Sequence, residues 1–172
     1  MEEKRVEIAE RDFKNYLRDG LIKKADYNKL VYQTYFNNSL ESLKVADELF
    51  RNKISSLWVV VISYYSMFYI ACAYIYKREY KTRGEIVHQI INDSLVIFAR
   101  HDLEKHFFEE YEEEKEKALS ASGNLLRSYE MEKEKRASFQ YETTEVIKEA
   151  KAKTSLERAK TFIVIMRQLL EK

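Results

Sequence analysis

Proline is absent from this chain, and glycine occurs only three times, at Gly20, Gly84 and Gly123. Sandwiches, barrels and glycine-rich phosphate loops depend on turn residues in numbers this sequence does not hold. No GxGxxG or P-loop motif can be assembled from three scattered glycines, which excludes dinucleotide-binding and P-loop chemistry. Cysteine is limited to Cys72, so neither an intramolecular disulfide nor a multi-cysteine zinc site is available. A reducing cytoplasm is the expected setting. An excess of one charge is missing as well: 30 Lys+Arg stand against 29 Asp+Glu, a net charge of +1. That excludes a basic nucleic-acid coat or an acidic tail as a description of the whole chain, and leaves local patches open.

What is present points to helices. The chain has 172 residues, 45% hydrophobic and 34% charged, the makings of one domain with a sizeable core. Before Gly20, Val6, Ala9, Phe13, Tyr16 and Leu17 recur at helical spacing and predict a short amphipathic helix within residues 1–19. From Ala25 to about Arg51 the stripe continues through Leu30, Val31, Tyr35, Leu40, Leu43, Ala46 and Leu49. Ser55 and Ser56 then precede Leu57–Tyr76, a run without a single charged residue. Its length, about twenty residues, matches a membrane span. Tyr64, Tyr65 and Tyr69 sit in the middle of it, however, whereas membrane tyrosines favour the interfaces. The run is therefore expected to be the central helix of a bundle, with no membrane, and Met1–Arg5 leads into charge instead of a secretory signal.

After Gly84, Ile86, Val87, Ile90, Ile91, Leu95 and Phe98 predict a further helix ending near Arg100. Asp102 is placed to cap the next one, which runs into the acidic residues Glu109–Glu116, expected to be a solvated face. Gly123–Tyr141 reads as a helix with a loop. Thr154 and Glu157 have the spacing of a capping box for the last helix. The architecture expected is one all-α, up-and-down bundle of five or six helices over residues 1–172.

Few residues suggest chemistry. Glu85 and His88 form one Glu-x-x-His unit, but no second unit accompanies His101 or His106, so a di-iron bundle site fails and no metal or cofactor is expected. Cys72 lies within the apolar run and reads as core. The remaining candidate is Arg83-Gly84-Glu85-Ile86-Val87-His88. Arg83 would hang at the mouth of a helix, with His88 in its second turn. A guanidinium and a helix N-terminus both favour phosphate, and imidazole can exchange the proton of a ribose 2′-hydroxyl. Lys77, Arg78 and Lys81 are cations near enough in sequence to meet flanking phosphates.

The segment Ser63-Tyr64-Tyr65-Ser66-Met67-Phe68-Tyr69-Ile70-Ala71-Cys72-Ala73-Tyr74 resembles the signature helix of HEPN domains, small helical proteins often encoded beside minimal nucleotidyltransferases. The similarity extends to His88 opening a following helix, to an Arg-then-Tyr stretch from Arg136 to Tyr141, and to Leu156-Glu157-Arg158-Ala159-x-x-Phe162. The resemblance implies a HEPN-like bundle over residues 24–172 with a charged insertion near 109–134, the helix of residues 1–19 being extra. It implies a homodimer, as do 13 Tyr and 9 Phe, more aromatics than one modest core hides. It further implies a metal-independent endoribonuclease or toxin component with Arg83 and His88 catalytic, and Lys77, Arg78, Lys81 and Arg136 on RNA. The alternative it leaves is a non-catalytic module binding a nucleotide or a nucleotidyltransferase partner.

Overall fold

A computed structural model describes residues 3–134 and 145–172, with side chains described for 3–123 and 148–172. The order is α1 (Glu3–Arg18), β1 (Ile22–Lys24), α2 (Lys29–Arg51), α3 (Ser56–Lys77), β2 (Tyr80–Thr82), α4 (Val87–Ala99), α5 (Lys105–Glu134) and α6 (Glu145–Glu171). It is an all-α helical bundle. α3 is its axis, packed most extensively against α2 and α6 and then against α5 and α4, while α1 lies on α4. By length and composition α3 is long and apolar enough to cross a membrane, yet 78% of its apolar window is buried by the other helices. That coverage is compatible with a soluble bundle: its apolar surface is satisfied by protein.

Local chemistry sets the boundaries. Ser55 caps α3 by accepting from the Trp58 N–H at 3.3 Å, and Asn28 caps α2 by accepting from Leu30 and Val31. α1 stops at Gly20, whose φ of +66° lets the Leu21 N–H turn back onto the Tyr16 carbonyl. α1 is then fastened to α4 through Asp93, which is fully buried. The Tyr16 hydroxyl and the Gln89 amide donate to its carboxylate, and the Arg5 guanidinium pairs with it at 2.9 Å.

Beside the helices, β1 and β2 form a small antiparallel ribbon with Lys23 opposite Lys81. Several expectations need correction. The long helix begins at Lys29 instead of Ala25, since the residues before it form that ribbon and its exit. Gly123 lies inside α5, where a Cβ would meet nothing within 4 Å; on an open face its cost is only about 1 kcal/mol. Asp102 does not cap α5, which starts at Lys105; its carboxylate accepts from Lys172. Thr154 is interior to α6 and returns its hydroxyl to the Ala150 carbonyl, so the capping-box spacing marks no helix start.

The acidic stretch is also not solely a solvated face. Glu114 is fully buried; it accepts from Arg158 at 2.8 Å, from Lys117 at 3.0 Å and from the Ser155 hydroxyl, tying α5 to α6.

Candidate functional site

Tyr64, Tyr65 and Phe68 fall at positions i, i+1 and i+4 of α3, so their rings cluster toward one side of the helix. His88 packs into that cluster from α4. Its ring centroid is 4.3 Å from Phe68, 5.6 Å from Tyr64 and 5.8 Å from Tyr65. The imidazole Nδ1 is 2.7 Å from the Tyr64 hydroxyl oxygen. His88 is the second residue of α4, hence in the first turn and not the second. Ile86 at the N-cap contributes no side-chain hydrogen bond, so the helix start is left without a side-chain cap beside the imidazole.

Lys115, almost buried on α5, supplies the nearby charge. Its ammonium donates to Gln89 Oε1 at 3.3 Å and lies 3.9 Å from Glu112. Burial first, and the Lys115 charge second, hold the His88 imidazole below its usual value of 6.5, so at neutral pH it is uncharged. Burial pushes the Tyr64 hydroxyl up, so that group keeps its proton. Two arrangements of the Tyr64–His88 bond follow. With Nδ1–H donating to Tyr64, Nε2 presents a lone pair and is a base; with Tyr64 donating, Nε2–H is a donor to a phosphate oxygen. In both, Nε2 is the working nitrogen, and no described side chain occupies it. A separate cleft of about 180 Å³ lies between α4 and α5, with Arg5, Asn92, Phe108 and Glu112 in its wall and His88 outside it.

Arg83 is exposed and outside any helix, between β2 and Gly84. Its Nε donates to the Gly20 carbonyl at 2.7 Å, and its backbone N–H to Leu21. Arg83 and His88 thus flank the entrance of α4, with the guanidinium drawn to the turn after α1 and the imidazole drawn to α3. Lys81 is exposed on the ribbon. Lys77 and Arg78 sit at the far end of α3, nine or more residues beyond Phe68, about 13 Å or more along the axis. The Lys77 ammonium donates to the Leu170 carbonyl, and the Arg78 guanidinium stacks 3.5 Å over Tyr74. They are not brought to His88. Arg136 lies outside the described residues.

The remaining candidates carry no site. His106 pairs with Glu104, and His101 accepts from Arg100. Cys72 is buried, which pushes its thiol up. Sequence reasoning did not identify Tyr64 as the partner of His88, although the aromatic triplet was in view. Lys115 gave no signal, since it sits in a run of mixed charge. No family model, no curated protein and no solved structure matches this chain.

The shifted imidazole has a measurable consequence. Because the folded chain holds His88 below 6.5, the unfolded chain binds the extra proton first as pH falls. Wild type should therefore lose more melting temperature than His88→Phe between about pH 7 and 5, and the His88 ring should titrate by NMR below 6.5. A midpoint at or above 6.5 contradicts the environment described.

Proposed function

We propose that this chain is a HEPN-type helical domain, a cytoplasmic protein that cleaves RNA without a metal ion, with His88 as its proton-transfer group. The observation that carries the reading is the Tyr64–His88 hydrogen bond at 2.7 Å, which fixes a neutral imidazole at the start of a helix with Nε2 unoccupied among the described residues. In the base arrangement Nε2 takes the ribose 2′-hydroxyl proton. The 2′-oxygen then bonds to phosphorus, the bond to the 5′-oxygen breaks, and that oxygen takes up a proton, leaving a cyclic phosphate. Lys115 is the cation near the imidazole that would offset the developing charge, and Arg83 would join it only on leaving the Gly20 carbonyl. Homodimerisation would supply a second His88 as the acid. Exposed Ile54, Leu57 and Trp58, a few turns before Tyr64 at most, supply apolar surface for it. Sedimentation as a monomer at micromolar concentration would remove the dimer from the reading.

One observation favours a second reading. The Arg83 guanidinium is held by the Gly20 carbonyl, which suits a binding module for a nucleotide or a nucleotidyltransferase partner better than a catalyst. RNA cleavage in EDTA by the purified chain, beside His88→Ala and Arg83→Ala, separates the two. Cleavage lost in His88→Ala supports the first; binding without cleavage by wild type selects the second.

A further inference from the structure

The ribbon β1–β2 has two unlike faces. Ile22 is fully buried, whereas Lys24, itself exposed, lies 4.0 Å over the Tyr80 ring and donates to the Arg78 carbonyl. Side chains alternate along a strand, so Lys23 and Lys81, directly opposite each other in the register, point outward, and both are exposed. Arg83 follows two residues after Lys81 and continues the row, its N–H extending the ladder to Leu21. Like charges directly across a ladder are unfavourable, so the folded state gains nothing from this pairing. No described carboxylate forms an ion pair with Lys23, Lys81 or Arg83, although Glu79 and Glu85 bracket Lys81 and Arg83 in sequence. The row is a cationic edge without a counter-charge.

An aromatic platform follows β1 in the chain. Tyr27, three residues past β1, is 48% exposed and is backed by Tyr32 at 6.0 Å and Tyr76 at 6.3 Å. The Tyr76 hydroxyl donates to the Asp26 carbonyl and pins the segment that carries Tyr27. Cations spaced along an extended backbone beside a supported, half-open aromatic ring are the elements that hold unpaired nucleotides: charge for the phosphates, a ring face for a base. We infer that this edge is a docking track for single-stranded RNA, with Lys23, Lys81 and Arg83 on its phosphates and Tyr27 against a base. The inference rests on the RNA reading above and replaces Lys77 and Arg78, which the fold uses elsewhere, by Lys23 and Tyr27. A duplex does not offer the free base face that Tyr27 requires.

The test is fluorescence anisotropy of a labelled single-stranded oligouridylate with the full chain, titrated at several salt concentrations. Lys23→Glu/Lys81→Glu should weaken binding at least about tenfold and flatten the salt dependence by about 1.4 in log–log slope, about 0.7 for each phosphate no longer neutralised. Tyr27→Ala should weaken binding about tenfold with the slope unchanged. Lys23→Glu alone creates an opposite-charge pair with Lys81, so it should melt no lower than wild type yet bind more weakly, separating lost charge from lost fold. The track is overturned if the folded lysine variants bind with unchanged affinity and slope. If they weaken but Tyr27→Ala does not, the single-strand assignment falls to a general polyanion patch. Cleavage that persists with unaltered ribbon-variant affinity sinks the track and leaves catalysis standing; binding without cleavage does the reverse.

Discussion

Replacing His88 by alanine should lower cleavage of single-stranded RNA in EDTA by about 10²–10⁴-fold, the range a positioned acid–base group contributes. The physical basis is the state of the imidazole. Burial and Lys115 keep it neutral at pH 7, so it is available as a base, and the hydroxyl of Tyr64 sets which nitrogen faces outward. Activity should then fall on acidification with an apparent value below 6.5. Tyr64→Phe should retain the ring packing but lose the anchor, giving a smaller loss in rate together with a moved pH profile. A change in packing alone would not move that profile. Alanine also leaves a space beside Phe68 about the size of the ring removed, and added imidazole should restore part of the rate. Full cleavage retained in His88→Ala would remove His88 from the mechanism, and binding without cleavage by wild type would leave the binding module.

Arg83 tests a different link in the chain from sequence to site. Its bond to Gly20 exists because α1 ends in a left-handed turn that exposes that carbonyl toward the ribbon. The helix expected to be extra therefore reaches the site: it holds Arg83 through Gly20, and its Tyr16 and Arg5 hold Asp93 on the same helix as His88. Nothing in the sequence joins residues so far apart.

The elements legible in advance were those that local pattern decides. Leu57–Tyr76 is within a residue of α3 because its hydrophobic run is continuous and Ser55 is a good cap. The ribbon was illegible because two three-residue strands carry no periodicity, and their pairing joins segments separated by α2 and α3. The start of α6 was misplaced because Ala152 is a core residue against Ala46 and Val59, so packing extends the helix N-terminal of Thr154. The burial of Glu114 was legible in principle. Phe107, Tyr111 and Ala118 mark the inward stripe of α5, and position 114 falls on it. A carboxylate on an apolar stripe demands a cationic partner, and Arg158 is that partner.

Removing the partner should therefore be among the most damaging changes to the fold. Arg158→Ala should destabilise the protein by about 3–5 kcal/mol, because a carboxylate with no exposure loses its main counter-charge. For a chain of this size that lowers the melting temperature by about 6–20 °C. Arg158 also contacts Glu113, but Glu113 is half exposed, and water replaces most of what it loses. Lys117 and Ser155 remain near Glu114, and Lys117 is itself partly solvated, so neither substitutes for the guanidinium. Which charge matters is decided by the double variant. Glu114→Gln/Arg158→Ala removes the buried charge along with its partner and should be clearly more stable than the sum of the two single losses. If the two losses simply add, or if Arg158→Ala melts within about 2 °C of wild type, less than about 1 kcal/mol at this size, the buried pair does not hold α5 to α6.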